Sequence, residues 1–139
     1  MKTIQYTIIV LLISLSTSCK NKITEKELVL LKGYWEIEKV ILADKSVKIY
    51  EINTTYDYID LKDNSGFRKK VYPQLFGKYQ TSEDAEFFSI VKKGNTWEMN
   101  YTSKDNKWVE TLESLSEKSF TVKNTAGIEY FYKKVERQE

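Results

Sequence analysis

The sequence predicts an all-β protein, one up-and-down antiparallel β-barrel of about eight to ten strands behind a short N-terminal helix. Three features point there. Apolar and polar residues alternate in short runs, and turn-forming clusters recur about every ten residues. After the first thirty-odd positions no segment has the length and period of a crossover helix, which parallel strands would need.

In chain order, the first element is an address. Lys2 gives a short positive region, and Ile8 to Leu15, "IIVLLISL", is an apolar stretch too short to span a bilayer as a mature helix. The small residues Ser16, Thr17 and Ser18 then lead to Cys19, the single cysteine of the chain. One cysteine forms no internal disulfide, so this thiol needs another purpose. The arrangement resembles the lipobox of bacterial lipoproteins, in the relaxed "SC" form seen in the Bacteroidetes group. That resemblance implies a signal peptide over 1–18, cleavage before Cys19 and acylation of Cys19. The alternative is an ordinary secretory signal that happens to contain a cysteine. Several acyl chains hold a protein firmly, at about 0.8 kcal/mol per buried methylene. Lys20 stands where an aspartate would resemble an inner-membrane retention signal. The implied location is therefore a lipid anchor in the outer membrane of the cell envelope. The basic "KNK" at 20–22 favours the periplasmic face.

Residues 19–24 comprise the lipidated cysteine and a tether, and 25–139 the folded domain. Thr24 and Glu27 fit a capping box, so a short helix follows through Leu28, Leu31 and Lys32 and stops at Gly33. Strand patterns come next. Trp35 and Ile37 alternate with Glu36 and Glu38. Trp97, Met99 and Tyr101 alternate with Glu98 and Asn100, and Phe120 and Val122 with Thr121 and Lys123. The clusters at 43–46, 62–66, 81–84, 92–95, 103–106, 115–119 and 123–127, with a break at Pro73 to Gly77, are read as turns. Gly66, Gly94 and Gly127 all fall in these proposed turns, where a positive φ suits glycine. Closing the meander into a barrel removes its exposed edges.

The helix leading into Gly33-Tyr34-Trp35 resembles the G-x-W signature of lipocalins, and the likeness extends from about Leu30 to Val135. It is nearest in character to small lipocalin-like lipoproteins of Bacteroidetes. The resemblance implies that Trp35 seals the closed end of the barrel beneath the helix. The family's arginine that packs over this tryptophan has no clear counterpart, and Lys133 or Lys134 could substitute. A T-D-x-Y element is absent. The function implied is non-catalytic binding of a small apolar or amphipathic ligand.

Composition excludes several chemistries. With no histidine there is no Ser-His-Asp triad, no Cys-His dyad and no ordinary zinc site. No cofactor or metal is indicated. A formal net charge of +2 argues against a nucleic-acid partner. The carboxylate pairs Asp57 with Asp60 and Glu110 with Glu113 read as surface strand charges, as does the run Arg68-Lys69-Lys70. "DLKDNSG" at 60–66 lacks the alternating oxygen ligands of a calcium loop and reads as a hairpin turn.

Aromatic residues make up 14% of the chain, and its ten tyrosines combine an apolar ring with a polar tip. Trp97, Met99 and Tyr101, joined by Phe120 and Val122, are the candidate wall of a half-wet cavity. The same rings would equally serve to fill a short barrel. Two functions follow from that choice: an envelope ligand binder with an open barrel, or a packed barrel whose surface meets a protein partner, as in an immunity or complex-assembly lipoprotein. The membrane is a partner in either case, through the anchor.

Overall fold

The computed structural model describes residues 22–136, and only the backbone of Phe76. The leader and Cys19 lie outside the described residues. A 3-10 helix, Glu25–Leu31, opens the described chain. Nine strands follow: β1 (Gly33–Ile41), β2 (Val47–Ile49), β3 (Tyr56–Lys62), β4 (Ser65–Pro73), β5 (Tyr79–Lys93), β6 (Thr96–Thr102), β7 (Lys107–Leu115), β8 (Ser119–Asn124) and β9 (Glu129–Lys134). Each strand from β3 to β9 pairs antiparallel with the next, and β1 pairs with both β3 and β9. The result is a closed up-and-down barrel of eight strands with β2 as an addition. Closure leaves no long free edge, as the sequence pattern requires.

The capping box forms from its acidic side. The Thr24 amide and hydroxyl both donate to the Glu27 carboxylate, at 2.6 and 2.8 Å. Leu28 and Leu31 turn inward from this helix and are buried. The helix touches β3 and β7, which lie on opposite sides of the eight-strand ring. It therefore crosses the base like a bar and plugs that end with its two leucines.

One seam of the barrel is forked. Near the closed end, Gly33 to Trp35 pair with Ile59 to Asp57 of β3. Farther along the same edge, Lys39 to Ile41 pair instead with Ile49 to Val47 of β2. The connection from β2 to β3 lies in the fork. Its Asn53 side chain donates to the Ile37 carbonyl at 2.8 Å and to the Glu36 carboxylate at 3.2 Å.

Two local readings of the sequence are corrected. The cluster at 81–84 is no turn, because β5 runs through it. Lys69 pairs with Ala85 and Val71 with Thr81, so Ser82 to Asp84 stand opposite Lys70 alone. The polar cluster marks a bulge, which bends a strand where a turn would have ended it. Beyond the bulge the β4–β5 hairpin curls over the outside of β1 and β3, and Tyr79 stacks on Tyr34 at 4.7 Å between ring centres. Gly66 is likewise not in a turn. The turn is Asp63 and Asn64, with Asp63 at a φ of 54°. Gly66 lies within β4, where a Cβ would sit 2.2 Å from the Asp60 carbonyl and 2.8 Å from the Phe88 ring. Close approach requires that glycine, not a positive φ. At Gly94 and Gly127 φ is positive, as read.

Candidate functional site: a layered barrel interior

The interior has an apolar layer at the helix end and a charged layer beyond it. Alternation builds the first. Trp97, Met99 and Tyr101 of β6 all point inward and are buried, as are Phe120 and Val122 of β8, Ile59 and Leu61 of β3, and Leu112 of β7. Trp35 lies at the bottom with no exposed surface, edge-on to Phe120 at 4.7 Å. Its indole N–H donates to the Leu31 carbonyl at 2.8 Å. The indole of Trp97 donates to the Ile23 carbonyl at 2.9 Å. Both tryptophans therefore satisfy their one polar atom on the N-terminal segment and bury the rest.

Gly33 and Trp35 are joined through a third residue. Lys134 of β9 passes over Gly33 and places Nζ 4.6 Å from the centre of the Trp35 ring. The same ammonium donates to the carbonyls of Lys32 and Leu30, at 2.7 and 3.2 Å. Those carbonyls end the helix and have no helical partner, so a cation there is favourable. Burial lowers the pKa of Lys134, with Glu117 acting the other way. Gly33 has a φ of 127°, and a Cβ on it would meet Lys134 Cε at 2.9 Å. Glycine is required there on both counts.

The second layer corrects the reading of the charged residues. Arg68, Asp57 and Glu110 do not face solvent. Asp57 and Glu110 are buried, and the Arg68 side chain keeps 11% of its surface. Arg68 Nε contacts Glu86 Oε2 at 2.7 Å, while Nη1 lies 3.8 Å from Glu110 Oε2. The guanidinium stacks over Tyr101 at 4.8 Å, and Tyr101 stacks in turn on Trp108 at 4.9 Å and 3°. Asp57 pairs with Lys70 at 2.7 Å. Glu110 Oε2 has no hydrogen-bond partner among the described residues.

The electrostatics follow from this burial. Burial raises the pKa of Glu110 and outweighs the opposing pull of Arg68 and of the nearby Trp108 and Tyr101 side chains. Burial likewise raises the hydroxyl pKa values of Tyr101 and Tyr132, against Arg68. Burial works against the charge of Arg68, but Tyr101, Tyr132, Glu110 and Asp57 together hold it above the ordinary value. Arg68 is therefore a fixed charge, and Glu110 holds a proton more tightly than an exposed carboxyl does.

A signal for this layer was present in the sequence. Asp57 keeps step with Ile59 and Leu61, and Glu110 with Leu112, so strict alternation sends them inward. Of the five candidate wall residues, Trp97, Met99, Phe120 and Val122 lie in the apolar layer. Tyr101 alone reaches the charged one, and its hydroxyl also lies 3.9 Å from the Met99 sulfur. Asp60 and Glu113 stand on the outward face of their strands. Among the described residues no group of three or more metal-ligating side chains comes together.

Fold and interior define an up-and-down antiparallel β-barrel, sealed at one end by a tryptophan under a short helix. No family model matches the chain, and no curated protein matches it. Among solved structures it is similar to a lipocalin-like protein from Bacteroides uniformis, at 14% identity and a TM-score of 0.48, over 76% of this chain and 99% of that one.

Proposed function

We propose that this chain is a lipid-anchored protein of the cell envelope whose barrel binds a small amphipathic molecule without catalysis. The carrying observation is the interior's two-part chemistry. Arg68, Glu110, Tyr101 and Trp108 form a charged, aromatic layer directly over an apolar floor that includes Trp97, Met99, Phe120 and Val122. Buried ion pairs add little to stability compared with apolar residues of the same volume. Their presence inside so small a barrel supports a role in recognition, with the polar head at Arg68 and Glu110 and the apolar part toward the floor. The anchor reading rests on Cys19 and the run before it, in the outer membrane with the domain on the periplasmic side.

The test uses residues 20–139 and an environment-sensitive fatty-acid probe. Binding should be saturable, change tryptophan fluorescence, and weaken in Trp97→Phe or Met99→Ala while circular dichroism stays unchanged. If the probe does not bind, and pull-down recovers one stoichiometric protein instead, the protein-interaction reading replaces this one. A specific observation favours that second reading. The outer face of β3 to β5 carries an aromatic ridge of Tyr58, Phe67 and Phe87, with Phe87 61% exposed.

A further inference from the structure

We propose that the closed, helix-bearing end of the barrel is a docking face for the anionic phospholipid leaflet that holds the anchor, so that the opposite end points away from the membrane. The inference deepens the anchor reading of Cys19 and rests on it. Chain geometry comes first. The Ile23 carbonyl is fixed at the closed end by the Trp97 indole. Cys19 is four residues earlier, a reach of at most about 14 Å. An acylated Cys19 therefore keeps this end of the barrel near the bilayer and cannot reach around to the other.

Charge agrees with geometry. The segments 22–32 and 135–136 and the turns 62–64, 92–95 and 116–118 form the closed end, and together they carry seven lysines and five carboxylates. Two of the five are engaged locally: Glu27 by Thr24 and Glu25 by the Asn64 side chain. The other three are Asp63, Glu117 and Glu136. On the lysine side, Lys32 pairs with Asp60 and Lys93 with Glu98, both through exposed ammonium groups at 3.1 and 3.2 Å. Such exposed pairs exchange readily for lipid phosphates. The segments at the opposite end, 42–55 (with β2), 74–78, 103–106 and 125–128, carry four lysines and three carboxylates. The β5 bulge adds Glu83 and Asp84 with no cation between them.

The closed end also offers something apolar to the interface. A groove of about 400 Å³ runs between the helix and the β3–β4 turn, lined by Leu28, Val29 and Leu61 together with Lys32, Asn64 and the carboxylates of Glu25 and Asp63. Val29 is 58% exposed at its edge. An apolar side chain among lysines is the pattern of an interfacial contact, with the aliphatic group at the acyl boundary and the ammonium groups at the phosphates.

The barrel and its core are complete within residues 22–136, so residues 20–139, lacking leader and cysteine, serve for the test. This chain should co-sediment with vesicles containing about one-third phosphatidylglycerol and not with pure phosphatidylcholine, and salt should weaken it. The double change Lys92→Glu with Lys93→Glu should lower partitioning at least about tenfold, since each lysine near such a surface contributes about fivefold. Val29→Asp should also weaken it, and Lys45→Glu with Lys48→Glu should leave it within about twofold. An environment-sensitive label on Lys93→Cys should shift on binding, and one on Lys104→Cys should not. Equal loss from the Lys45 and Lys48 pair, a response only at position 104, or binding indifferent to anionic lipid overturns the docking face. Failure of the anchor reading shows separately, as an unacylated Cys19 in the mass spectrum of the full chain.

Discussion

The ammonium of Lys134 lies 4.6 Å above the Trp35 ring and donates to the Lys32 carbonyl at 2.7 Å. One side chain from the last strand thus covers the basal tryptophan and ends the first helix. The N- and C-terminal elements of the barrel are locked together at this point, next to the β1–β9 seam that closes it.

Truncating the tryptophan should be costly. Trp35→Ala removes a fully buried ring and its bond to Leu31, and should destabilise by about 3–5 kcal/mol. Denaturant unfolding of residues 20–139 measures this. A loss under about 1 kcal/mol would show that the ring does not seal the base.

Gly33 and Lys134 should behave as a coupled pair. Gly33→Ala introduces a left-handed strain of about 1–3 kcal/mol and a contact of its Cβ with Lys134 Cε. Lys134→Met should cost about 1–2 kcal/mol through the lost carbonyl bonds and ring contact. The double variant should be less unstable than the sum, because the methionine has lost the carbonyl bonds that pin Lys134 and can swing aside from the new methyl. Strict additivity in a double-mutant cycle would contradict the close packing seen here.

The charged layer predicts an unusual pH response. Glu110 has a folded-state pKa raised above the ordinary 4.5, chiefly by burial. The folded state then holds the proton more tightly than the unfolded chain. The stability this confers is present below about pH 4.5 and is lost as pH rises through the folded pKa. Glu110→Gln should remove that decline and be neutral or stabilising at pH 7, by about 0–1 kcal/mol, because Arg68 retains Glu86. Urea midpoints across a pH series would reveal it, and a loss above about 2 kcal/mol at pH 7 would mean that the ionised pair is a net source of stability.

Cys19→Ser in the full chain should abolish labelling by a radioactive fatty acid and release the mature domain from the membrane fraction, or leave it uncleaved. A wild-type protein that takes up no label would remove the anchor from the functional reading.

Much of this molecule was legible in its sequence because strands report their faces locally. Alternation in "TWEMNYT" sent Trp97, Met99 and Tyr101 inward, and a hydroxyl and a carboxylate three residues apart marked the helix start at Thr24. Turn residues placed most of the hairpins, since asparagine, aspartate and glycine favour turn conformations in any context. The tertiary structure alone decided three matters. It made 81–84 a bulge, because a strand's continuity depends on the neighbour it pairs with. It required Gly66 for lack of space, since the atoms that would collide belong to β3 and β5. It also decided between alternation, which sends Asp57 and Glu110 inward, and charge, which suggests a solvated surface for them and for Arg68. Burial of a charge depends on partners distant in the chain, and Arg68 meets Glu86 and Glu110 only once the barrel has closed.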